Sequence, residues 1–170
     1  MWLIFIVLVF VFTIGLTVGG LLVAPREPVK PLHLILFSIF FLFLCYLGMI
    51  AGMFISGWIA IRIIEIGLCI LALLFIVACF SRFHPTLGFF HPEDRVVLSV
   101  LASLFFLMGL EWGVLDFRTF FTIGAGLLFT VALTIGIFIQ MQIRQALWRY
   151  SYAAFAPLVW LLFVTVLKLL

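Results

Sequence analysis

The sequence predicts an all-α fold, a polytopic integral membrane bundle of about six transmembrane helices with short loops. Three observations predict it. The 170 residues are 68% hydrophobic and only 9% charged, against roughly 25% charged in a soluble domain, so the charges are too few to cover a water-facing surface. The apolar runs are long enough to cross about 30 Å of hydrocarbon as helices of roughly 20 residues. They are also apolar on every side, whereas the strands of a membrane barrel alternate apolar and polar positions. The length suits a single transmembrane domain over 1–170.

The first helix is expected at 2–24. It lacks the basic start of a cleavable signal peptide and exceeds the usual length of its apolar centre, so it reads as a retained span. "PREPVKP" (25–31) ends it with three prolines and three charges. The next apolar run, 32–80, is too long for one span. It folds back near "FISGWIAIRIIE" (54–65), which gives helices at 32–55 and 59–80.

"SRFHPTLGFFHPEDR" (81–95) is the longest stretch that is not plainly apolar. His84 and His91 are seven apart, a spacing that does not build a compact metal site. Pro92, Glu93 and Asp94 suit the first turn of a helix running from 92 to about 115. The loop is therefore a turn, and no metal is expected there. "LEWGVLDFRT" (110–119) turns the chain into a fifth helix at 118–139. "QMQIRQALWRYSY" (140–152) is amphiphilic and is expected to lie along the interface, before a short last span at 153–169.

Threaded this way, Arg26, Lys30, Arg82, Arg95, Arg144 and Arg149 fall on one side, and Arg62, Arg118 and Lys168 on the other. The positive-inside rule makes loops 25–31, 81–95 and 140–152 cytoplasmic, in a plasma or inner membrane. The basic residues are dispersed and the net charge is only +3, which excludes nucleic acid as a partner. The bilayer is the partner the composition names. Cys45, Cys69 and Cys79 all lie inside apolar runs and read as packing thiols rather than a disulfide framework.

Small residues recur on one face of several helices. Gly15/Gly19, Gly48/Gly52 and Gly109/Gly113 are each Gly-x-x-x-Gly. Lipid gives apolar helices no hydrophobic reason to associate, so small residues that let backbones approach are how they pack. Such faces suit either internal packing or a homo-oligomer or other membrane-protein subunits.

Chemistry is sparse. The expected helix midpoints near Thr13, Cys45, Ala72, Phe105, Phe129 and Leu161 carry no ionisable group, which argues against an ion-coupled transporter or a histidine-ligated haem. No cofactor is implied. No Ser or Cys nucleophile is set beside a His, so no catalytic residue is assigned and an intramembrane enzyme is the weakest reading. Arg62, Glu65, Glu111, Asp116 and Arg118 are expected to gather at the outer helix ends as a partner or ligand cluster. The expected function is a non-catalytic membrane subunit with a scaffold, assembly or sensing role. The alternative is a small oligomeric channel or facilitator whose pore is lined by Thr122, Gly126 and Thr130.

Overall fold

The structure, a computed structural model, describes residues 2–23, 31–55, 61–82, 89, 95–117, 119–146 and 154–169. They form six helices: α1 (Trp2–Leu22), α2 (Pro31–Ile55), α3 (Ile61–Ser81), α4 (Arg95–Val114), α5 (Thr119–Ala146) and α6 (Ala156–Leu169). The first five are long and apolar enough to cross a membrane, which makes the chain a multi-pass integral membrane protein. Pro31 opens α2, and Pro157 lies in the first turn of α6. Both are places where a missing N–H costs no helical hydrogen bond.

One element departs from expectation. Residues 140–146, expected along the interface, continue α5 to Ala146. Gln140 is buried there, and Arg144 donates to the Val23 carbonyl at the end of α1. Residues 147–152 lie outside the described residues. The last helix, expected at 153–169, is an α-helix over Ala156–Leu169, 14 residues and about 21 Å long.

The helices close into a ring in the order α1, α5, α2, α4, α3, α6 and back to α1. Its centre is aromatic. Phe10, Phe41, Phe75, Phe105, Phe129 and Trp112 are fully buried. Phe41 stacks on Phe129 with centroids 4.0 Å apart, and Phe105 meets the two edge-on at 4.9 and 5.5 Å.

Two pairs of neighbours run parallel and in close contact, α2 with α4 and α1 with α5. The Gly48/Gly52 face of α2 lies against the Gly109/Gly113 face of α4, so that a Cβ on Gly109 would stand 2.7 Å from the Cα of Cys45. Gly15 and Gly19 of α1 meet Phe129, Ala132 and Leu133 of α5 in the same way. Close packing without side chains between the backbones gives these pairs the dispersion contact that holds helices together in lipid. Hydroxyls are satisfied at no cost to packing by donating to carbonyls four residues back, as in Thr13 to Val9, Thr134 to Thr130 and Thr165 to Leu161.

Candidate functional site

The site begins with the way α4 stops. Asp116 adopts φ 58°. The Phe117 N–H bonds to the Trp112 carbonyl at 3.0 Å and the Asp116 N–H to the Gly113 carbonyl at 3.1 Å. This is the pair of reversed bonds that closes a helix with one left-handed residue, usually glycine. The cap fixes the last turn of α4, and that turn carries Glu111 into the bundle.

There Glu111 meets Lys168 from the end of α6. The ammonium Nζ lies 2.9 Å from both carboxylate oxygens and donates to each. Both side chains are only 3% exposed. The same ammonium stands 4.5 Å from the centroid of the Phe10 ring, a cation–π contact. Two of its three N–H groups are thus given to Glu111, and the ring of Phe10 covers its remaining side.

The pair lies deeper than the sequence suggested. Phe10 is eight residues into α1, which places its ring about 10 Å inside that helix's start. A second contact gives a similar depth: Cys69, eight residues into α3, has its thiol 3.8 Å from the carbonyl of Thr165, one turn before Lys168. Lys168 was expected at the outer boundary as the end of a full span. The end of α6 lies beside Phe10 of α1 and the last turn of α4, and Lys168 lies there with it.

Beside the pair is a cavity of about 700 Å³ bounded by four helices. Phe5, Ile6, Val9 and Phe10 of α1 and Val164 and Leu167 of α6 give it apolar walls. Ile61, Arg62 and Glu65 of α3 line its mouth, with Glu111 and Lys168 deeper. A smaller recess of about 350 Å³ lies between Arg62, Glu65, Ile66 and Cys69 on α3 and Lys168 on α6. Arg62 and Glu65 are one turn apart, as their spacing requires, and their charged atoms approach to 3.7 Å. That is beyond hydrogen-bond range, and Arg62 is 78% exposed. So this outer pair is loose and contributes little, while the inner pair is tight.

Of the five residues expected to cluster, Arg62, Glu65 and Glu111 line this one cavity. Asp116 does not line it; it is the exposed cap residue. Arg118 lies outside the described residues, as do His84 and His91. Lys168 is the residue sequence reasoning did not place in the cluster. The signal was present: the threading already puts Lys168 on the same side as Arg62 and Arg118.

The Thr122, Gly126 and Thr130 face does not line a pore, because α2 covers it. Thr122 donates to the Met49 sulfur at 3.1 Å, Thr130 bonds Ser38 at 3.1 Å, and Leu42 packs onto Gly126. The three cysteines are buried free thiols.

The fold and the site define a class, a six-helix membrane bundle with a buried ion pair between α4 and α6. No protein-family model, curated protein or solved structure matches the chain.

Proposed function

We propose that this chain is a non-catalytic multi-pass membrane protein that binds a small anionic amphiphile in the cavity beside Glu111 and Lys168. The observation that carries the reading is the buried ion pair at the wall of a cavity. A buried ion pair rarely improves stability over apolar residues of similar shape, and ionisable groups within a membrane mark binding sites by default. The volume is that of an ordinary small-ligand pocket, and its apolar walls suit a hydrocarbon body. The sign of the head group follows from which charges are committed. Glu111 is held by Lys168 through both oxygens. Arg62 at the mouth is exposed and only loosely paired, and a guanidinium is suited to grip a carboxylate, sulfonate or phosphate. An anion gripped by Arg62 at the mouth feels the charge of Lys168 across the cavity while the ammonium stays bonded to Glu111.

The test is a thermal-shift titration of purified protein with decyl sulfonate and, separately, decyltrimethylammonium. Saturable stabilisation by the anion, lost in Lys168→Gln, is expected. Equal response to both probes, or none that saturates, would refute the reading. By the balance of basic residues the cavity opens towards the outer face, with 25–31, 81–95 and the residues that follow α5 on the cytoplasmic side.

A role as a subunit assembling with itself or with other membrane chains is the second reading. The small-residue faces no longer support it, since they are occupied within the chain. It rests on α2, the least covered of the five long helices, which turns Ile39, Phe43, Tyr46 and Met53 outward. A particle larger than one chain in mild detergent would favour it.

A further inference from the structure

The helix arrangement repeats itself. α1 lies against α5 and α6, α4 against α2 and α3, α2 against α5, and α3 against α6. Exchanging α1 with α4, α2 with α5 and α3 with α6 leaves every one of these neighbours unchanged. The repeat extends to residues. The carbonyls of Phe129 and Leu133 face Gly15 and Gly19, as those of Cys45 and Met49 face Gly109 and Gly113. The Leu16 carbonyl faces Gly136 as the Leu110 carbonyl faces Gly52. The sequence carries the same register: "FTIGLTVGGL" (12–21) and "FLMGLEWGVL" (106–115) share F-x-x-G-L-x-x-G-x-L. Phe37-Ser38-Ile39 and Gly52-x-Phe54-Ile55 of α2 recur in α5 as Phe121-Thr122-Ile123 and Gly136-x-Phe138-Ile139.

The two halves are inverted. α1 runs parallel to α5 and α4 parallel to α2, whereas Ser38–Thr130 and Met49–Thr122 make α2 and α5 antiparallel. Hence α1 and α4 point in opposite directions, and the halves α1–α3 and α4–α6 are related by a two-fold axis in the membrane plane.

The halves obey that symmetry, but the ends of the bundle do not. At the Lys168 end the start of α3 and the end of α6 flank an open recess. At the other end, among the described residues, the end of α3 and the start of α6 meet through aromatic rings. Phe80 stacks on Phe155 with centroids 4.7 Å apart, and Phe89 packs edge-on against Phe155 at 5.6 Å and is buried. Two inverted halves enclosing a site, open at one end and shut at the other, form the arrangement in which rocking one half against the other exchanges the open end. The cavity is bounded by both halves, with Phe10 and Arg62 from the first and Glu111 and Lys168 from the second.

We infer that the protein carries anionic amphiphiles across the membrane, exposing the Glu111–Lys168 cavity alternately at the two ends as its inverted halves rock. The inference rests on the binding reading above. The movement is downhill exchange and needs no energy source.

The experiment uses the full chain in liposomes and follows counterflow of radiolabelled decyl sulfonate against an unlabelled internal pool. A second preparation carries Phe80→Cys and Phe155→Cys in a background with Cys45, Cys69 and Cys79 replaced by Ala, bridged by a short bifunctional thiol reagent. Counterflow at least tenfold above empty liposomes is expected, lost in Lys168→Gln and lost on bridging, while the bridged protein still binds the anion. Binding without counterflow would overturn transport and leave the binding reading standing. Counterflow that persists unchanged after bridging would overturn alternation between the two ends. Absence of saturable binding in the unmodified protein would overturn both readings.

Discussion

The ion pair gives the most demanding test of the site, through a cycle of Lys168→Met, Glu111→Leu and the two combined. The ammonium is 2.9 Å from each carboxylate oxygen and both side chains are 3% exposed. At such a distance two unit charges attract by about 5 kcal/mol with an effective dielectric of 20. Removing either partner alone forfeits that attraction and leaves the other charge stranded, at a cost of about 3–5 kcal/mol. For a chain of this length that lowers the unfolding midpoint by on the order of 10 °C. The combined variant removes both desolvation penalties along with the attraction, and should fall within about 1 kcal/mol of the parent. Thermal unfolding in one mild detergent, all four proteins side by side, reads the coupling directly. If the combined variant loses as much as the two single variants added together, the charges are not coupled and the reasoning fails. The combined variant also separates function from folding, because it should fold normally and bind no anion.

The glycines offer an internal control. Gly109→Ala forces a Cβ against the backbone of Cys45 and should cost about 1–3 kcal/mol, whereas Gly124→Ala meets nothing within 4 Å and should gain about 0.5–1 kcal/mol; equal midpoints would refute the close-contact argument. Asp116→Gly removes the strain of a left-handed aspartate and should stabilise the cap by up to about 1 kcal/mol, with Asp116→Val lowering the midpoint instead. With the Lys168 end outward, a single cysteine at Asp116 should react with an impermeant thiol reagent added to intact cells and one at Gln145 should not; the reverse pattern would invert the orientation.

Much of the fold was legible because lipid simplifies the code. Apolar run length and the prolines at 25, 28 and 31 point to helices without reference to tertiary structure. What failed was reading residues 140–146 by amphiphilicity. Gln140 and Arg144 look like interface residues, but Gln140 is buried and Arg144 donates to the Val23 carbonyl at the end of α1. The repeat was also legible in principle. The string F-x-x-G-L-x-x-G-x-L occurs twice, at 12–21 and 106–115. Apolar sequence hides such a repeat, because Leu, Ile, Val and Phe exchange freely at lipid-facing positions. The glycines where backbones touch keep their places in both halves.

The site was hidden for a different reason. Asking which residue stands at the middle of each helix assumes that every helix crosses the whole membrane. Under that assumption Lys168 belongs to the surface and no charge lies within. Yet α6 has 14 residues and its first turn is held at the far end of α1, where Thr17 donates to the Pro157 carbonyl at 3.3 Å and Gly20 packs on the Pro157 ring. From that anchor a helix of about 21 Å brings Lys168 beside Phe10 of α1. The lysine at its tip must then find a counter-charge inside the bundle, and the capped end of α4 presents Glu111 there. On the corresponding face of α1 the repeat places Thr17 where α4 has Glu111. Two halves of one design therefore differ at the position that faces Lys168.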